Sequence, residues 1–181
     1  MPVIPALSRS QVDPATGAKL DAVKAKLGTI PNMFLTFAHT PVALDAYLQL
    51  AEVTARGKLN ARQREQVALA VAEANDCGYC LAAHAAIGKL VGLGENQIGQ
   101  ARLARGDNPR DSAILGLARA IVEQRGHVAA EAIRDFKAQG FGDADVLEVL
   151  VNVVHNIYTN YTNHLAGTEI DFPQLARNKA A

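Results

Sequence analysis

The sequence has no excess of charge of either sign and contains only two cysteines. Eighteen basic residues balance eighteen acidic ones among 181 residues, so the formal net charge is zero. Without a basic stripe, nucleic acid and anionic membrane surfaces are poor candidates for the main partner. A chain of this length can bury a sizeable core, so neither a disulfide framework nor a structural metal is needed for folding.

Long hydrophobic runs are also missing. No stretch reaches the length of a transmembrane span, and the first ten residues lack the charged start and apolar run of a signal peptide. We therefore expect a cytoplasmic protein that does not use a membrane. In that reducing compartment, two cysteines three residues apart are more often redox-active or metal-binding than structural.

The remaining pattern is helical almost throughout. No stretch alternates in the strand manner for long, so we predict an all-α fold of eight or nine helices in a single domain over residues 1–181. An extended arm over about residues 1–14 precedes a redox core over about residues 59–94. Apolar spacing and cap residues predict helices over residues 15–27, 32–38, 41–55, 61–75, 77–91, 95–104, 109–124, 129–139 and 143–165.

Two stretches are apolar over most of the helix circumference, namely residues 67–74 and 146–154. A surface helix has a broad polar face. We therefore expect these two stretches to cross the interior or a subunit interface.

The candidate site lies between residues 65 and 84. Both cysteines, Cys77 and Cys80, stand in a Cys-Gly-Tyr-Cys motif, His84 follows one helical turn later, and Glu65 begins the preceding apolar run. At about 100° per residue, positions 77, 80 and 84 fall within about 60° of one another on a helix. One helix face therefore carries two thiols and an imidazole.

The role of Glu65 depends on a break in the helix. In an unbroken helix, Glu65 would lie about 18 Å below Cys77 and about 120° off its face. Asn75 and Asp76 are turn and cap residues, and either suits the N-cap of a new helix that begins near Cys77. We therefore predict that the chain bends here, which allows Glu65 to approach the thiols or His84.

These residue types can support thiol redox chemistry. A thiolate that attacks a peroxide becomes a sulfenic acid, which the other cysteine can capture as a disulfide. The helix dipole favours Cys77 as the attacking residue, whereas a direct contact with His84 as base favours Cys80. We assign the attack to Cys80 and the resolving role to Cys77, with Glu65 orienting His84 or joining a proton relay.

The pattern as a whole resembles a known family. Glu65, eleven intervening residues, Cys77-Gly-Tyr-Cys80, three residues and His84 are similar to the AhpD-like family, the alkylhydroperoxidase and carboxymuconolactone decarboxylase group. Residues in the stretch after the second cysteine and Gly28-Thr-Ile-Pro-Asn-Met-Phe34 resemble its peroxidase-related branch.

The resemblance implies specific expectations for fold and activity. It implies an all-helical fold assembled as trimers or hexamers, with the central helices at the subunit contacts. It also implies a thiol peroxidase in which Cys80 is peroxidatic, Cys77 resolves the sulfenic acid, and Glu65 and His84 relay protons. The partners would be a hydroperoxide and a thiol reductant, either a protein dithiol or a lipoyl-type carrier, with no cofactor and no metal.

One position departs from this family pattern. Hydroperoxidases of the family can carry a histidine beside the second cysteine, where this chain has Tyr79. A tyrosine hydroxyl can form hydrogen bonds but is a poor base at neutral pH. Disulfide chemistry is therefore better supported than fast peroxidase turnover. Decarboxylase members lack the cysteine pair, so lactone decarboxylation is not expected.

Other functional interpretations use the same side chains. Two thiolates, an imidazole and a carboxylate are suitable zinc ligands, so Cys77, Cys80, His84 and Glu65 could form a metal site. The disulfide could also serve a non-catalytic redox sensor or interaction protein.

Each residue has a structural interpretation as well. The cysteines could be small buried residues and His84 a satisfied core histidine. Glu65 could be a surface acid paired with Arg62 or Arg64.

The last predicted helix carries an unusual number of polar residues among its apolar ones. They are Asn152, His155, Asn156, Asn160 and Asn163. Buried polar groups need partners. These side chains either form a hydrogen-bonded seam between helices, or His155 or an asparagine reaches the cysteine site.

Overall fold

The structure, a computed structural model, describes residues 1–173, and the end of the expected domain, residues 174–181, lies outside the described residues. The described chain contains nine α-helices and no strand. The helices are α1 (Pro14–Leu27), α2 (Asn32–Phe37), α3 (Pro41–Ala55), α4 (Ala61–Ala74), α5 (Gly78–Leu90), α6 (Glu95–Arg102), α7 (Pro109–Glu123), α8 (Ala130–Ala138) and α9 (Asp143–Ala166). The predicted all-α fold is confirmed, and each predicted helix ends within two residues of an observed bound.

Helix α4 lies at the centre of the fold. Asn60 caps its start, because the Asn60 side chain accepts a hydrogen bond from the Gln63 N–H while the Gln63 side chain accepts one from the Asn60 N–H. The helix packs against α5, α6, α7 and α9, and every residue from Gln66 to Ala72 is buried. The apolar stretch over residues 67–74 therefore crosses the interior, which is one of the two predicted locations.

Helix α9 packs along α4 with one face only. Val149 and Val153 are buried on that face, whereas Leu147, Leu150 and Val154 are exposed on the other. Asp143 was also expected to cap this helix, which is wrong: the N-cap is Gly142, where the backbone is extended, and Asp143 is already the first helical residue.

The two ends of the described chain meet at the end of α9. The N-terminal arm contains a short 3₁₀ turn, Arg9–Gln11, and the backbone N–H groups of Val3 and Ile4 donate to the carbonyl of Ala166. Gly167, with a φ of 62°, ends α9 and redirects the chain towards α5. Within residues 1–173, none of the helices combines the length and the apolar character needed to cross a membrane.

Candidate active site

The chain turns sharply between α4 and α5, as predicted. Asn75 ends α4, and Asp76 adopts a left-handed conformation with a φ of 52°, which aspartate tolerates better than most residues. Cys77 then begins α5 as its N-cap. The prediction that Asn75 or Asp76 would be the cap was wrong, because both residues are used to end α4 and make the turn.

The two cysteines lie in contact at the start of α5. Both are free thiols, and the Cys77 thiol donates a hydrogen bond to the Cys80 sulfur across 2.7 Å. The Cys77 sulfur in turn accepts a hydrogen bond from the Cys80 N–H at 3.4 Å, which is the cap of α5. The exposed fractions of Cys77 and Cys80 are only 1% and 2%. Either sulfur can therefore reach the other without a large movement of the backbone.

Glu65 and His84 form a pair across the α4–α5 contact. The Oε2 atom of Glu65 lies 2.8 Å from Nδ1 of His84, and both side chains are largely buried. The arginines next to Glu65 in sequence, Arg62 and Arg64, bond to other groups. The alternative in which Glu65 pairs with an adjacent arginine is therefore wrong, and the bend brings the carboxylate to the imidazole.

Helix α9 contributes amides to the cysteine site. The Nδ2 group of Asn163 donates a hydrogen bond to the Cys80 sulfur at 3.3 Å, and both residues are buried. Asn160 is also buried, and its Oδ1 atom accepts a hydrogen bond from Asn75 at 2.8 Å. The prediction that an asparagine of α9 reaches the cysteine site is therefore confirmed. Of the predicted seam between helices, the bond between Asn160 and Asn75 is present, whereas Asn156 donates to a backbone carbonyl of its own helix.

These contacts shift the pKa values of the two thiols in opposite directions. Burial of the Cys80 sulfur opposes ionisation, but four neighbours that stabilise the thiolate outweigh it: Cys77, His84, Asn163 and Asn160. Together they lower the pKa of Cys80 to about 6. The pKa of Cys77 is raised instead, because its hydrogen bond to Cys80 and its burial favour the thiol. At neutral pH, Cys80 therefore carries the charge and Cys77 keeps its proton.

The two histidines near the thiols also differ. Burial alone would lower the pKa of His84, but the charge and hydrogen bond of Glu65 outweigh burial and raise that pKa. Burial and the charge of His84 lower the pKa of His155 to about 4, so this imidazole is neutral at pH 7. The His155 ring lies against Tyr47, with ring centroids 5.1 Å apart. His84 is thus the histidine that can hold a proton beside Cys80.

A cavity of about 360 Å³ opens onto Cys80, His84 and His155. It is far larger than the ~30 Å³ that a water molecule occupies in the liquid. Its remaining wall is mostly apolar, and the aromatic residues in it are Phe34, Tyr47, Tyr79 and Phe172. The contributions from α2, α3 and the segment after α9 could not be predicted, because no spacing pattern in the sequence links them to the cysteines.

Tyr79, at the position where the sequence departs from the family pattern, has a structural role. Its hydroxyl accepts a hydrogen bond from the Met33 N–H at 3.2 Å. Its ring packs edge-on against Phe172, with centroids 5.7 Å apart. Burial raises its pKa, so it is neutral at pH 7 and is a poor base. Tyr79 therefore joins α5 to α2 and to the segment after α9.

The candidate zinc ligands are paired with one another. Cys77 bonds to Cys80, and Glu65 bonds to His84. Among residues 1–173, no group of three or more histidine, cysteine, aspartate or glutamate side chains is arranged to hold a metal ion.

The residues of this site lie in a segment that matches a known protein family. The family model described as the carboxymuconolactone decarboxylase family matches residues 41–124, which include Glu65, both cysteines and His84. This segment is therefore similar to the carboxymuconolactone decarboxylase family. Its AhpD-like branch was the resemblance predicted from the sequence. No curated protein matches the chain at a significant level.

Solved structures of this fold cover nearly the whole chain. An alkylhydroperoxidase AhpD core from Ralstonia eutropha JMP134, an uncharacterized peroxidase-related protein, is 23% identical with a TM-score of 0.84, over 94% of this chain and 92% of that one. The debrominase Bmp8, solved with 2,3,4-tribromopyrrole, is 20% identical with a TM-score of 0.79, over 93% and 91%. A peroxidase-related protein from Silicibacter sp. TM1040 is 22% identical with a TM-score of 0.78, over 92% of each chain. At these identities the likeness establishes the AhpD-like fold.

Proposed function

We propose that this protein is a thiol-dependent hydroperoxide reductase that cycles Cys77 and Cys80 between dithiol and disulfide. The observation that carries the proposal is that two thiols in contact differ in protonation. Cys80 faces the cavity as a thiolate, and Cys77 touches it as a buried thiol. Such a pair supplies the nucleophile and the resolving group of a two-electron reduction.

The oxidative step begins at the Cys80 sulfur. The thiolate attacks the terminal oxygen of the hydroperoxide, an S–O bond forms and the O–O bond breaks. Sulfur is oxidised by two electrons, and the alkoxide takes the proton that His84 holds, so that an alcohol leaves. Glu65 keeps His84 oriented and favours its protonated form. The Cys77 thiol then attacks the sulfenic sulfur, water leaves and a disulfide forms. An external thiol reductant, a protein dithiol or a lipoyl-type carrier, restores the dithiol.

A homo-oligomer, trimer or hexamer, is part of this proposal. Its support is the outer face of α9, a row of exposed apolar side chains: Leu147, Leu150, Val151, Val154, Tyr161 and Leu165. Contiguous exposed apolar side chains commonly mark interaction surfaces. We call this row the outer face of α9.

The deciding experiment is peroxide consumption by wild type, Cys77→Ser, Cys80→Ser and His84→Ala with a dithiol reductant. We expect either cysteine change to abolish cycling, and Cys80→Ser alone to prevent sulfenic acid formation as well. Loss of the His84 charge removes one cause of the lowered Cys80 pKa. The midpoint of the rate against pH should therefore move upward from about 6 in His84→Ala. If Cys77→Ser instead prevents sulfenic acid formation, the two cysteine roles are reversed.

The same assay separates an enzyme from a redox sensor. A sensor would be oxidised once by peroxide and would not turn over when reductant is present. A single oxidation of wild type without cycling would therefore overturn the peroxidase proposal.

Reductive dehalogenation of an aromatic compound is a second candidate. The size and aromatic lining of the cavity favour it, and the fold is also that of a debrominase. The two thiols would supply two electrons, so that an aryl halide and the dithiol give the dehalogenated arene, hydrogen halide and the disulfide. Halide release that depends on Cys80, without peroxide turnover, would favour this candidate over the first.

A further inference from the structure

Two amides of α9 carry unpaired polar atoms beside the Cys80 sulfur. The Nδ2 donor of Asn160 and the Oδ1 acceptor of Asn163 are buried, and neither makes a hydrogen bond of ordinary geometry to any described residue, although the Asn160 amide is near enough to the Cys80 sulfur to stabilise its thiolate. Buried polar groups are nearly always paired, since leaving one unpaired is unfavourable. Two such atoms at one redox site therefore point to a group that is absent from the dithiol state.

In each of these two amides, the other polar atom is held by a hydrogen bond. Asn75 donates to Oδ1 of Asn160 at 2.8 Å, which leaves the Asn160 Nδ2 group free. The Nδ2 group of Asn163 is bonded to the Cys80 sulfur, which leaves the Asn163 Oδ1 atom free. The Asn160 amide also lies close enough to Cys80 to lower its pKa. Both free atoms are thus fixed near the sulfur before any reaction occurs.

Oxidation of Cys80 creates the missing group. When the thiolate attacks a hydroperoxide, the sulfur gains one oxygen, and the resulting sulfenic acid has an oxygen that accepts a hydrogen bond and a hydrogen that can be donated. The Cys80 thiolate has neither this oxygen nor a hydrogen of its own. One free donor on Asn160 and one free acceptor on Asn163 match the requirements of this S–O–H group.

We propose that Asn160 and Asn163 form a binding site for the oxygen of the Cys80 sulfenic acid, in which Nδ2 of Asn160 donates to the oxygen and Oδ1 of Asn163 accepts its hydrogen. The inference rests on the proposed function, because the sulfenic acid is an intermediate of peroxide reduction. The bond to Oδ1 of Asn163 forms only as oxygen reaches the sulfur, and the Asn160 amide, which only approaches the sulfur in the dithiol state, then gains an oxygen acceptor. The two bonds therefore stabilise the transition state and the intermediate more than the thiolate, which accelerates the oxidative step.

The test uses Cys77→Ser protein, in which the sulfenic acid is not consumed by disulfide formation. Asn160→Leu, of similar shape and without the amide, is compared with Asn152→Leu. Asn152 is a buried asparagine of the same helix that donates to the Glu148 carbonyl instead. The rate of sulfenic acid formation with cumene hydroperoxide is measured by dimedone trapping at pH 8, where Cys80 is ionised. We expect about a tenfold slower reaction in Asn160→Leu and an unchanged rate in Asn152→Leu. Equal rates in the two variants would overturn the inference.

A second measurement needs no asparagine variant and decides the question if Asn160→Leu does not fold. In Cys77→Ser protein, the side-chain amide resonance of Asn160 should shift when one equivalent of peroxide is added, while that of Asn152 stays in place. A sulfenic acid detected by mass with no shift at Asn160 would refute the oxygen-binding site and leave the peroxidase proposal intact. If no sulfenic acid forms at all in this protein, the proposed function fails first, and the inference fails with it.

Discussion

Helices α4 and α9 have similar apolar sequences but different surroundings. Helix α4 is enclosed by four other helices, and its residues from Gln66 to Ala72 are all buried. Helix α9 instead turns asparagines such as Asn160 and Asn163 towards the interior and leaves Leu147 and Leu165 exposed to 61% and 73%. Its inner face therefore mixes asparagines with buried valines, and its outer face carries exposed apolar residues, whereas an ordinary surface helix has a polar outer face.

The two helices are therefore apolar for different reasons. The side chains of α4 stabilise the fold of its own chain. On α9, the inward amides of Asn160 and Asn163 stabilise the Cys80 thiolate, whereas the outer face of α9 has no covering from the described part of its own chain. An apolar pattern alone therefore does not distinguish a core helix from a helix whose apolar face is left exposed by its own chain.

The largest expected effect is on assembly. The double variant Leu150→Lys and Val154→Lys places two charges on the outer face of α9, and desolvating them in a contact between subunits would be unfavourable. We expect wild type to elute as a trimer or hexamer and the variant as a monomer, measured by size-exclusion chromatography with light scattering.

A matched control for this variant is Val42→Lys, an exposed apolar position on α3 outside the outer face of α9. It should leave the assembly intact. A monomeric wild type would contradict the prediction, because the outer face of α9 would then not bind a second copy of the chain.

The next effect is on the stability of the core. Leu69 is fully buried on α4, so Leu69→Ala should lower the free energy of unfolding by about 2–5 kcal/mol through lost burial and a cavity. In the background of the double variant Leu150→Lys and Val154→Lys, Leu147→Ala on α9 should change the free energy of unfolding by no more than about 0.5 kcal/mol. Urea unfolding measures both. Equal losses at the two positions would mean that α9 is as enclosed as α4.

The smallest effect concerns the inward face of α9. Asn163→Leu removes a hydrogen bond that stabilises the thiolate, so the pKa of Cys80 should rise from about 6 by about one unit, or about 1.4 kcal/mol. The thiolate fraction at pH 6 then falls, and the rate of alkylation by iodoacetamide in Cys77→Ser protein shifts to higher pH. Asn152→Leu should leave this profile in place, and an identical profile for Asn163→Leu would show that the amide does not act on the thiol.

Much of this fold could be predicted because its signals are local. Glycine and proline positions, together with capping residues such as Asn60, define the helix ends. The bend ahead of the cysteines was predictable from Asn75 and Asp76, since both residues favour turns. The residue that caps α5 was not, because a cysteine sulfur is an uncommon cap acceptor and Asn75 and Asp76 were more usual choices.

The site itself could be predicted only in part. Glu65, Cys77, Cys80 and His84 follow a fixed spacing, so their approach could be inferred from one bend in the chain. The cavity depends on Phe34 and other residues of distant helices, whose arrangement follows from tertiary packing and leaves no periodic signal. The amides of α9 were visible as polar residues in an apolar helix, but their contact with a sulfur depends on how α9 crosses α5.

The sulfur of Cys77 has two roles that compete. In the dithiol state it accepts the Cys80 N–H and so completes the first turn of α5. When the same sulfur bonds covalently to Cys80, it becomes a weaker acceptor and loses the freedom to orient towards that N–H. Formation and reduction of such a disulfide would therefore loosen and restore the beginning of this helix, so that the exchange of the Cys80 backbone amide with solvent would report the oxidation state of the protein.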